Sequence, residues 1–475
     1  MRNLTLLTDL YQFTMMNGYA ETGLADTEAV FDLFFRQMPN LDFAVAAGLE
    51  QAVDYIKNLR FEEDDIAYLR SLNCFGEKFF ERLKTFRFTG DIFAMREGEM
   101  VFPHEPLMTV RAPLFQAQLV ETALLNIINH QTLIATKAMK MANETKGGIA
   151  EFGLRRAQGP DAGIYGARAA IIGGCVSTSN VLAGKMFGVK VSGTHAHSWV
   201  MSFPTELEAF RKYAELYPDE CLLLVDTYDT LRSGVPNAIK VFDELKAAGH
   251  KPLGIRLDSG DLAYLSKKAR AMLDAAGHTE AKIFASGDID EYIIASLNAQ
   301  GAKIDVWGIG TKLITASPRP ALGGVYKMAA MRDKDGNWVP KMKISDTHEK
   351  ITNPGFKTTY RILDGGRKAA ADLIALDDEV IDTTKPLTIF HPVETWKKKT
   401  FTDYVLKKLP VQIFKNGELI YDLPDLKEIV AYANASKGEF WEEYKRLINP
   451  HVYKVDLSDG LYDLKKELME EVSTN

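Results

Sequence analysis

The sequence predicts an α/β fold in which a series of β/α units lies between an α+β N-terminal domain and a C-terminal domain. The main observation is a regular alternation of short apolar runs and helical stretches that begins at Gly148. A second is that glycine and proline repeatedly break the stretch from Phe88 to Ala112, which indicates short strands rather than a helix. The third is a more polar composition after Lys327, where hairpin turns and helices are expected.

Composition places the chain among globular proteins with two or three domains. It has 475 residues, of which 46% are hydrophobic and 25% charged, enough for more than one apolar core. The net charge of −7 at pH 7 argues against nucleic acid or an anionic membrane as a partner. No stretch reaches the roughly 18 apolar residues of a membrane span, and the three cysteines form no Cys-x-x-Cys pair. We therefore expect a cytoplasmic protein that binds neither nucleic acid nor membrane.

The first part of the chain mixes helices and strands. Thr8 and Asp9 can cap a helix that begins at Leu10 and that Gly18 and Gly23 would end. Further expected elements are a strand at 29–36 closed by a turn at 38–40, helices at 46–59 and 66–83, and a long amphipathic helix at 114–141. The predicted domains are an α+β domain at 1–113, a β/α domain with its connecting helix at 114–345, and a structural C-terminal domain at 346–475.

Seven apolar runs after Gly148 are candidate strands, and credible helices lie between them. The runs are 149–152, 175–177, 189–192, 222–225, 253–257, 282–285 and 305–307, and the clearest helices are 205–216, 238–248, 263–276 and 291–299. Such alternation predicts parallel strands joined by crossover helices. By itself it allows either an open doubly wound sheet or a closed barrel.

The residues that follow these runs favour the barrel. Nearly every run is followed at once by charged, polar or glycine residues, and in a barrel all these strand ends lie on one face. Cations are supplied by Arg155, Arg156, Arg256 and Lys327, while glycines such as Gly287, Gly308, Gly310 and Gly324 let backbone N–H groups approach an anion. The carboxylates of Asp226, Asp258 and Asp288 can bind ribose hydroxyls or hold Mg²⁺ through water. These residue types predict a phosphate-binding site.

Two histidines stand at the end of the third run, in the segment from Val191 to Phe203. His195 and His197 are spaced i, i+2 and could form part of a zinc site. No third His or Cys follows a comparable run, and the neighbouring groups suit phosphate and Mg²⁺ instead. No metal-ligating residue set is therefore predicted.

Six motifs in order along the chain resemble those of nicotinate phosphoribosyltransferase. They are Leu7-Thr-Asp-Leu-Tyr11, Glu151-Phe-Gly-Leu-Arg-Arg-Ala-Gln-Gly-Pro-Asp161, Gly193-Thr-His-Ala-His-Ser198, Arg256-Leu-Asp-Ser-Gly-Asp261, Gly308-Ile-Gly-Thr311 and Gly323-Gly-Val-Tyr-Lys327. The resemblance implies an irregular β/α barrel of the type II phosphoribosyltransferase kind beside an α+β domain. It also implies a homodimer with shared active sites, which makes nicotinate mononucleotide and pyrophosphate from nicotinate and phosphoribosyl pyrophosphate, with Mg²⁺ and coupled to ATP hydrolysis in NAD salvage.

The resemblance also assigns roles to individual residues. His197 matches the histidine that ATP phosphorylates transiently, and Asp226 resembles the carboxylate that orients it. Arg256 and Asp258 resemble the residues at the ribose and pyrophosphate. The base meets Phe152, Arg155 and, from the partner subunit, Tyr11. The other implied substrate-binding positions are Arg156, the Ser286, Gly287 and Asp288 loop beside the sugar, and the 5′-phosphate cradle with Gly308, Gly310, Thr311, Gly324 and Lys327.

Some points stay open at the level of sequence. Either Arg155 or Arg156 can hold the nicotinate carboxylate, and His195 lies at a variable position of its motif without an assigned role. A nicotinamide-specific relative is the nearest alternative, although the doubled arginine followed by Ala-Gln-Gly-Pro suits an acid better than an amide. A non-catalytic phosphoribosyl-pyrophosphate-binding protein is the alternative outside enzymes, and a pyrophosphate-release assay discriminates the two.

Overall fold

The computed structural model describes residues 3–37, 41–345, 350–394 and 396–474, so the predicted turn at 38–40 lies outside the described residues. The chain divides into two compact units. The first comprises Met1–Leu133 and Ala321–Asn475, and the second comprises Ile134–Pro320. The predicted site residues are distributed over both units.

The N-terminal part of the chain contains five strands and six helices in its described residues. They are α1 (Leu10–Thr22), β1 (Glu28–Phe35), β2 (Ala44–Val45), α2 (Leu49–Lys57), α3 (Glu63–Ser71), α4 (Glu77–Lys84), β3 (Asp91–Ala94), β4 (Met100–Val101), β5 (Met108–Pro113), α5 (Leu114–Leu119) and α6 (Glu121–Asn143). Helix α1 continues through Gly18 and ends at Gly23, whose φ of +80° closes the helix in the left-handed region. The single long helix expected at 114–141 is interrupted at Val120.

The middle of the chain forms the β/α series. Its elements are β6 (Gly148–Glu151), α7 (Pro160–Ile172), β7 (Ser177–Thr178), α8 (Val181–Phe187), α9 (His197–Met201), α10 (Glu206–Leu216), β8 (Leu222–Leu224), α11 (Val235–Ala247), β9 (Gly254–Leu257), α12 (Leu262–Ala275), β10 (Lys282–Gly287), α13 (Glu291–Ala299), β11 (Val306–Ile309) and α14 (Thr311–Ile314). A 3₁₀ turn at Leu154–Arg156 and a π-helical turn at Thr230–Gly234 join them.

The C-terminal part is mostly β-structure followed by helices. Its elements are β12 (Gly324–Arg332), β13 (Trp338–Pro340), β14 (Lys357–Asp364), β15 (Ala369–Leu376), β16 (Leu387–Phe390), β17 (Lys398–Phe401), β18 (Tyr404–Lys408), β19 (Val411–Lys415), β20 (Glu418–Leu419), α15 (Leu426–Glu439), α16 (Glu442–Lys445), β21 (Val455–Leu457) and α17 (Asp459–Thr474).

The first unit is built on a seven-stranded sheet with the order β13-β12-β1-β5-β3-β19-β20. Strand β1 lies at its centre and pairs antiparallel with β12 and β5. Phe31 of β1 stacks on Tyr326 of β12 with ring centroids 4.8 Å apart. The hairpin of β12 and β13 therefore belongs to the first unit, whereas the predicted boundary at 345 placed it with the β/α series, because local sequence does not show that a strand pairs with one about 300 residues earlier.

A second sheet of the first unit has the order β17-β16-β21-β15-β14-β18. Arg361 of β14 is buried between the carboxylates of Glu99 and Asp372, at 2.5 and 2.9 Å. Burial alone would raise the pKa of Glu99, but the charges of Arg361 and Lys407 outweigh burial and lower that pKa to about 2. The terminal parts of the chain are thus joined by a buried ionic network as well as by strand pairing.

The second unit contains six parallel strands in the order β7-β6-β11-β10-β9-β8, which form a curled half-barrel. The expected β/α alternation is confirmed, and apolar side chains of β8, β9, β10 and of α10 to α12 form a common core. The run 189–192 does not become a strand. Only Val191 makes an isolated parallel bridge, to Thr178 at the end of β7.

Candidate active site

Except for His197, the predicted site residues of the second unit lie at or beyond the carboxyl ends of its parallel strands. Phe152, Arg155 and Arg156 follow β6, His197 begins α9, Asp226 follows β8, Arg256 and Asp258 lie at the end of β9, Ser286, Gly287 and Asp288 at the end of β10, and Gly308, Gly310 and Thr311 at the end of β11. Parallel strands of one sheet end on the same side, so the fold gathers residues that are up to 159 positions apart in sequence.

His197 and Asp226 form a hydrogen-bonded pair. His197 Nε2 is 3.1 Å from Asp226 Oδ1, and the side chains are 39% and 2% exposed, respectively. The imidazole is therefore accessible, while the carboxylate behind it is not. A carboxylate oxygen can only accept a hydrogen bond, so Nε2 of His197 carries the proton and Nδ1 keeps its lone pair.

The second oxygen of Asp226 is held by two further donors. Oδ2 accepts from the backbone N–H of Asp258 at 2.9 Å and from the hydroxyl of Ser259 at 2.6 Å. These bonds fix the carboxylate in one orientation, because each of its oxygens already has a partner. No role for Ser259 was predicted from the sequence. Its only signal there is its place in the motif Arg256-Leu-Asp-Ser-Gly-Asp261.

Arg256 supplies a buried and incompletely paired cation beside this pair. Its guanidinium lies 3.9 Å from Asp258 Oδ1, and its Nε is buried without a hydrogen-bond partner in the part of the chain that the structure describes. Burial lowers the pKa of Arg256, and the nearby charge of Arg155 adds to this effect against the opposing carboxylates. Such a group gains most from an anionic ligand, since the ligand restores the interactions lost on leaving water.

Asp258 connects Arg256 with the end of β10. Its Oδ1 accepts a hydrogen bond from the buried hydroxyl of Ser286. Gly287 follows with a φ of +120°, and a Cβ there would stand 3.0 Å from the Asp258 carbonyl oxygen. The glycine thus permits the close approach of two strand ends, and the exposed carboxylate of Asp288 comes immediately after it.

The ring of Phe152 lies against the end of β11. A Cβ at Gly308 would stand 2.7 Å from this ring, and one at Gly310 would stand 3.0 Å from the Phe152 carbonyl oxygen. Both glycines are therefore required by the seating of Phe152. This steric reason is additional to the backbone donors that the sequence analysis expected from them.

Glu151 fixes the loop that carries the two arginines. Its buried carboxylate accepts from the backbone N–H of Gly153 and from the Thr178 hydroxyl, the latter at 2.6 Å. The 3₁₀ turn that follows presents Arg155 and Arg156 to solvent. The charge of Arg155 acts on Arg256. Sequence reasoning missed Glu151, although a carboxylate at the end of an apolar strand is a signal for a hydrogen-bonding role.

Three predicted site residues, Tyr11, Gly324 and Lys327, belong to the first unit. Tyr11, in the first turn of α1, is 45% exposed, and partial burial together with the Glu121 carboxylate raises its pKa to about 12. Gly324 begins β12 and has the Asn129 side chain against it, where a Cβ would stand 2.0 Å from Oδ1. The phosphate cradle that the sequence analysis drew from Gly308 to Lys327 thus comes from two separate units, and its common role stays a prediction.

Lys327 lies in a cationic cluster that sequence reasoning did not anticipate. Burial, then the charges of Arg36 and Lys343, lower the pKa of Lys327. In the same unit, burial with Lys465 and Arg36 lowers the pKa of His104 to about 4. Lys357 lines a pocket together with Lys327 and His104, and its ammonium group pairs with Asp32 at 2.7 Å. The cations of this cluster come from distant parts of the chain, so spacing along the sequence carried no signal for their meeting; they are Arg36, Lys327, Lys343, Lys357 and Lys465.

The described residues include no helix that is long and apolar enough to cross a membrane. They also include no group of three or more His, Cys, Asp or Glu side chains placed to hold a metal ion by themselves.

Comparisons with known proteins identify relatives along the whole chain. Family models of nicotinate phosphoribosyltransferase match in three parts, with the N-terminal domain at residues 6–129, the family's central model at 148–362 and the C-terminal domain at 356–465. The chain is 50% identical to the nicotinate phosphoribosyltransferase of Bacillus subtilis (strain 168), covering 99% of this chain and 96% of the relative. It is 34% identical to that of Homo sapiens, covering 98% and 96%.

Solved structures agree with the sequence comparison. The crystal structure of human nicotinic acid phosphoribosyltransferase matches with a TM-score of 0.86 at 32% identity, covering 97% of this chain and 99% of that chain. The nicotinate-nucleotide pyrophosphorylase of Pyrococcus furiosus matches with a TM-score of 0.70 at 22% identity, and this similarity concerns the fold alone.

Proposed function

The chain belongs to the nicotinate phosphoribosyltransferase family, and from this premise we propose how its half-barrel site carries out the reaction. The enzyme joins nicotinate to the phosphoribosyl group of phosphoribosyl pyrophosphate and releases pyrophosphate, a step of NAD salvage. The observation that carries the proposed mechanism is the His197–Asp226 pair beside the incompletely paired cation of Arg256.

Arg256 is the group that we assign to the leaving pyrophosphate. Cleavage of the bond from ribose C1 to the pyrophosphate oxygen leaves positive charge on the sugar and negative charge on the leaving group. A buried guanidinium with an unsatisfied Nε stabilises that negative charge as it develops. Asp258 and Asp288 lie where carboxylates can bind the ribose hydroxyls and tolerate the cationic sugar.

Nicotinate binding is assigned to Phe152 and Arg155. The aromatic ring of Phe152 offers a flat apolar face for the pyridine, and a guanidinium matches the planar carboxylate in two hydrogen bonds. We favour Arg155 over Arg156, because the charge of Arg155 helps to lower the pKa of Arg256 and Arg155 therefore lies near the centre of the site.

The His197–Asp226 pair is assigned to energy coupling with ATP as a co-substrate. With Nε2 bonded to Asp226, Nδ1 is the nitrogen with a free lone pair. In the proposed step Nδ1 attacks the γ-phosphorus, the bond from that phosphorus to the ADP oxygen breaks, and ADP leaves. Water later takes the phosphoryl group from Nδ1, which restores the neutral imidazole and yields phosphate.

We also propose Mg²⁺ as the cofactor. This ion prefers oxygen ligands, keeps several waters and is usually held by one or two carboxylates together with substrate phosphates. Asp258 and Asp288 fit that pattern, since they are neighbouring carboxylates at adjacent strand ends. When bound, the ion would neutralise charge on the pyrophosphate.

A homodimer with shared sites completes the proposal. Tyr11 is an aromatic residue that is 45% exposed at the start of a helix in the first unit, as expected of a side chain that stacks on a base in a partner subunit. The Lys327 cluster offers the phosphates several cations.

The three cysteines, all free thiols, support a cytoplasmic setting.

Product analysis tests the function. The enzyme is expected to form nicotinate mononucleotide from nicotinate and phosphoribosyl pyrophosphate, with turnover of nicotinamide far lower. His197→Ala should abolish acid-labile labelling by γ-labelled ATP, and persistent labelling contradicts the assignment of His197.

The shared site has its own test. Tyr11→Ala and Arg256→Ala protomers are each expected to be inactive, and mixing them should restore activity through hybrid dimers. Absence of recovery in a mixture whose subunits have demonstrably exchanged contradicts the shared site.

A further inference from the structure

The curled sheet of the second unit has two open edges, and the segment from Val191 to His195 reaches both. At one edge, Val191 bridges to Thr178 of β7, the first strand in the sheet order. At the other edge lies β8, the last strand in the order. Five residues thus span the gap that a closed barrel would fill with further strands.

Strand β8 presents alternate backbone groups to this segment. The odd-numbered residues on either side of Leu222 and Leu224 bond to β9: Cys221 O accepts from Gly254 N–H, and Val225 N–H donates to Arg256 O. The even-numbered residues Leu222 and Leu224 therefore direct their C=O and N–H groups away from β9. An unpaired N–H at a buried strand edge costs free energy unless another acceptor is supplied.

Side chains of the spanning segment, Val191 to His195, form hydrogen bonds with the C=O group of Leu222 and the N–H group of Leu224. The Thr194 hydroxyl donates to Leu222 O at 2.6 Å, and His195 Nε2 accepts from Leu224 N–H at 3.3 Å. His195 must therefore be neutral with its proton on Nδ1, which faces Ala196 O at 3.3 Å. Burial lowers the pKa of His195 to about 4, in agreement with the neutral form.

The position of His195 connects the two halves of the His197–Asp226 pair. His197 lies two residues after His195, just beyond the spanning segment, and Asp226 lies two residues after Leu224, just beyond β8. The bond from Leu224 N–H to His195 Nε2 thus joins the two chain segments immediately before the pair. The ring of Tyr213 packs edge-on against His195, with centroids 4.6 Å apart, and restricts its rotation.

We propose that His195 is a positioning residue for His197. Its imidazole takes the place of a strand carbonyl at the open edge of the half-barrel, and it holds the segment that leads to His197 against β8, the strand that leads to Asp226. This inference rests on the proposed role of His197. It gives His195 a function that requires an acceptor at the Nε2 position and no proton transfer by His195 itself.

Three variants separate the acceptor from the bulk of the side chain. His195→Phe keeps a ring against Tyr213 but removes the acceptor, whereas His195→Gln places an amide oxygen near the Nε2 position. His278→Phe is the matched control, because His278 is also a buried histidine of this unit, bonded to Asp243 at 2.8 Å and packed edge-on against Phe242.

The expected result is a loss of kcat without a change in KM for nicotinate. A misplaced catalytic group loses up to about 10²-fold in rate, and this is expected for His195→Phe, with recovery in His195→Gln and no loss of kcat in His278→Phe. Nitrogen-15 spectra of the imidazoles should show a single tautomer of His197, protonated on Nε2, in the wild type and in His195→Gln. In His195→Phe they should show a mixture of tautomers.

Several outcomes overturn the inference. One is a folded His195→Phe enzyme with the wild-type kcat and a single His197 tautomer, and another is a His195→Gln enzyme as impaired as His195→Phe. If His195→Phe does not fold, hydrogen exchange in the wild type decides: protection of the Leu224 amide supports the bond, and exchange at the rate of an open strand edge refutes it. The spectra and the exchange need no substrate, so a failure of the proposed ATP step is distinguishable from a failure of this inference.

Discussion

Replacing Asp226 by Asn is the sharpest test of how the pair works. The Oδ2 position receives two donors, from Asp258 N–H and the Ser259 hydroxyl. Only the amide oxygen can accept there, so the amide NH₂ of the variant must face His197 Nε2. Nε2 then has to accept, and the proton moves to Nδ1, the nitrogen that attacks phosphorus in the proposed step.

The size of the effect follows from this change of tautomer. The same substitution in a Ser-His-Asp triad lowers kcat about 10⁴-fold through the wrong tautomer. We expect phosphorylation of His197 by ATP to slow by on the order of 10³- to 10⁴-fold, equivalent to about 4 to 5.5 kcal/mol of transition-state free energy. Folding should change by only about 1 kcal/mol, since each bond keeps a partner.

Rapid-quench labelling with γ-labelled ATP measures this rate directly. Transfer to nicotinate without ATP should fall far less, because Arg256 and Phe152 are unchanged. Asp243→Asn is the matched control, since Asp243 bonds His278 Nε2 at 2.8 Å in the same unit, and it should label normally. Labelling of Asp226→Asn at the wild-type rate refutes the reasoning.

Three further changes have outcomes fixed by the structure. Gly308→Ala should raise KM for nicotinate and leave the fold intact, because its methyl group displaces the ring of Phe152; steady-state kinetics measures this. Arg361→Met should lower the free energy of unfolding by about 3 to 5 kcal/mol, since it removes the guanidinium that lies between the buried carboxylates of Glu99 and Asp372; denaturant unfolding measures it. In the native state His195 has a pKa of about 4 and stays neutral, whereas an unfolded imidazole takes up a proton near pH 6.5. The free energy of unfolding should therefore fall as the pH falls from 6.5 towards 4. It should fall by about 3 kcal/mol less in His195→Gln.

Each of these predictions has a result that contradicts it. Gly438→Ala, where a Cβ meets nothing within 4 Å, is the control for Gly308→Ala, and equal KM values in the two variants argue against steric displacement. An Arg361→Met protein that unfolds within 1 kcal/mol of the wild type shows that the network contributes little. Parallel stability profiles of the wild type and His195→Gln between pH 6.5 and 4 show that His195 protonates in the native state.

Much of the half-barrel could be predicted from the sequence because its signals are local. Apolar runs of three to five residues, alternating with helical periodicity, located all six parallel strands. Asp226 and Asp258 follow these runs directly, and Arg256 lies near the end of one. Parallel strands end on one side, so the assembly of these residues into one site followed from their place in the pattern.

The local sequence pattern predicted a strand at 189–192, and this prediction was wrong for a physical reason. Its β-branched residues indicate a strand, but a strand also needs a partner along its length. Only Val191 finds one, at Thr178. The segment instead crosses from one edge of the sheet to the other, and this gives His195 the role that the sequence left open.

The sequence alone therefore determined the β/α series and the family, and it predicted the residues to which we assign the reaction, since each is encoded in short segments with characteristic spacing. Only the tertiary structure decided that β12 pairs with β1, that Lys327 lies among cations from distant parts of the first unit, and that Ser259 and Glu151 support the site. It also decided the tautomers of His195 and His197, because the partner of each imidazole comes from a strand almost 30 residues further along the chain. Contacts between distant segments depend on how the elements pack, and no local periodicity records them.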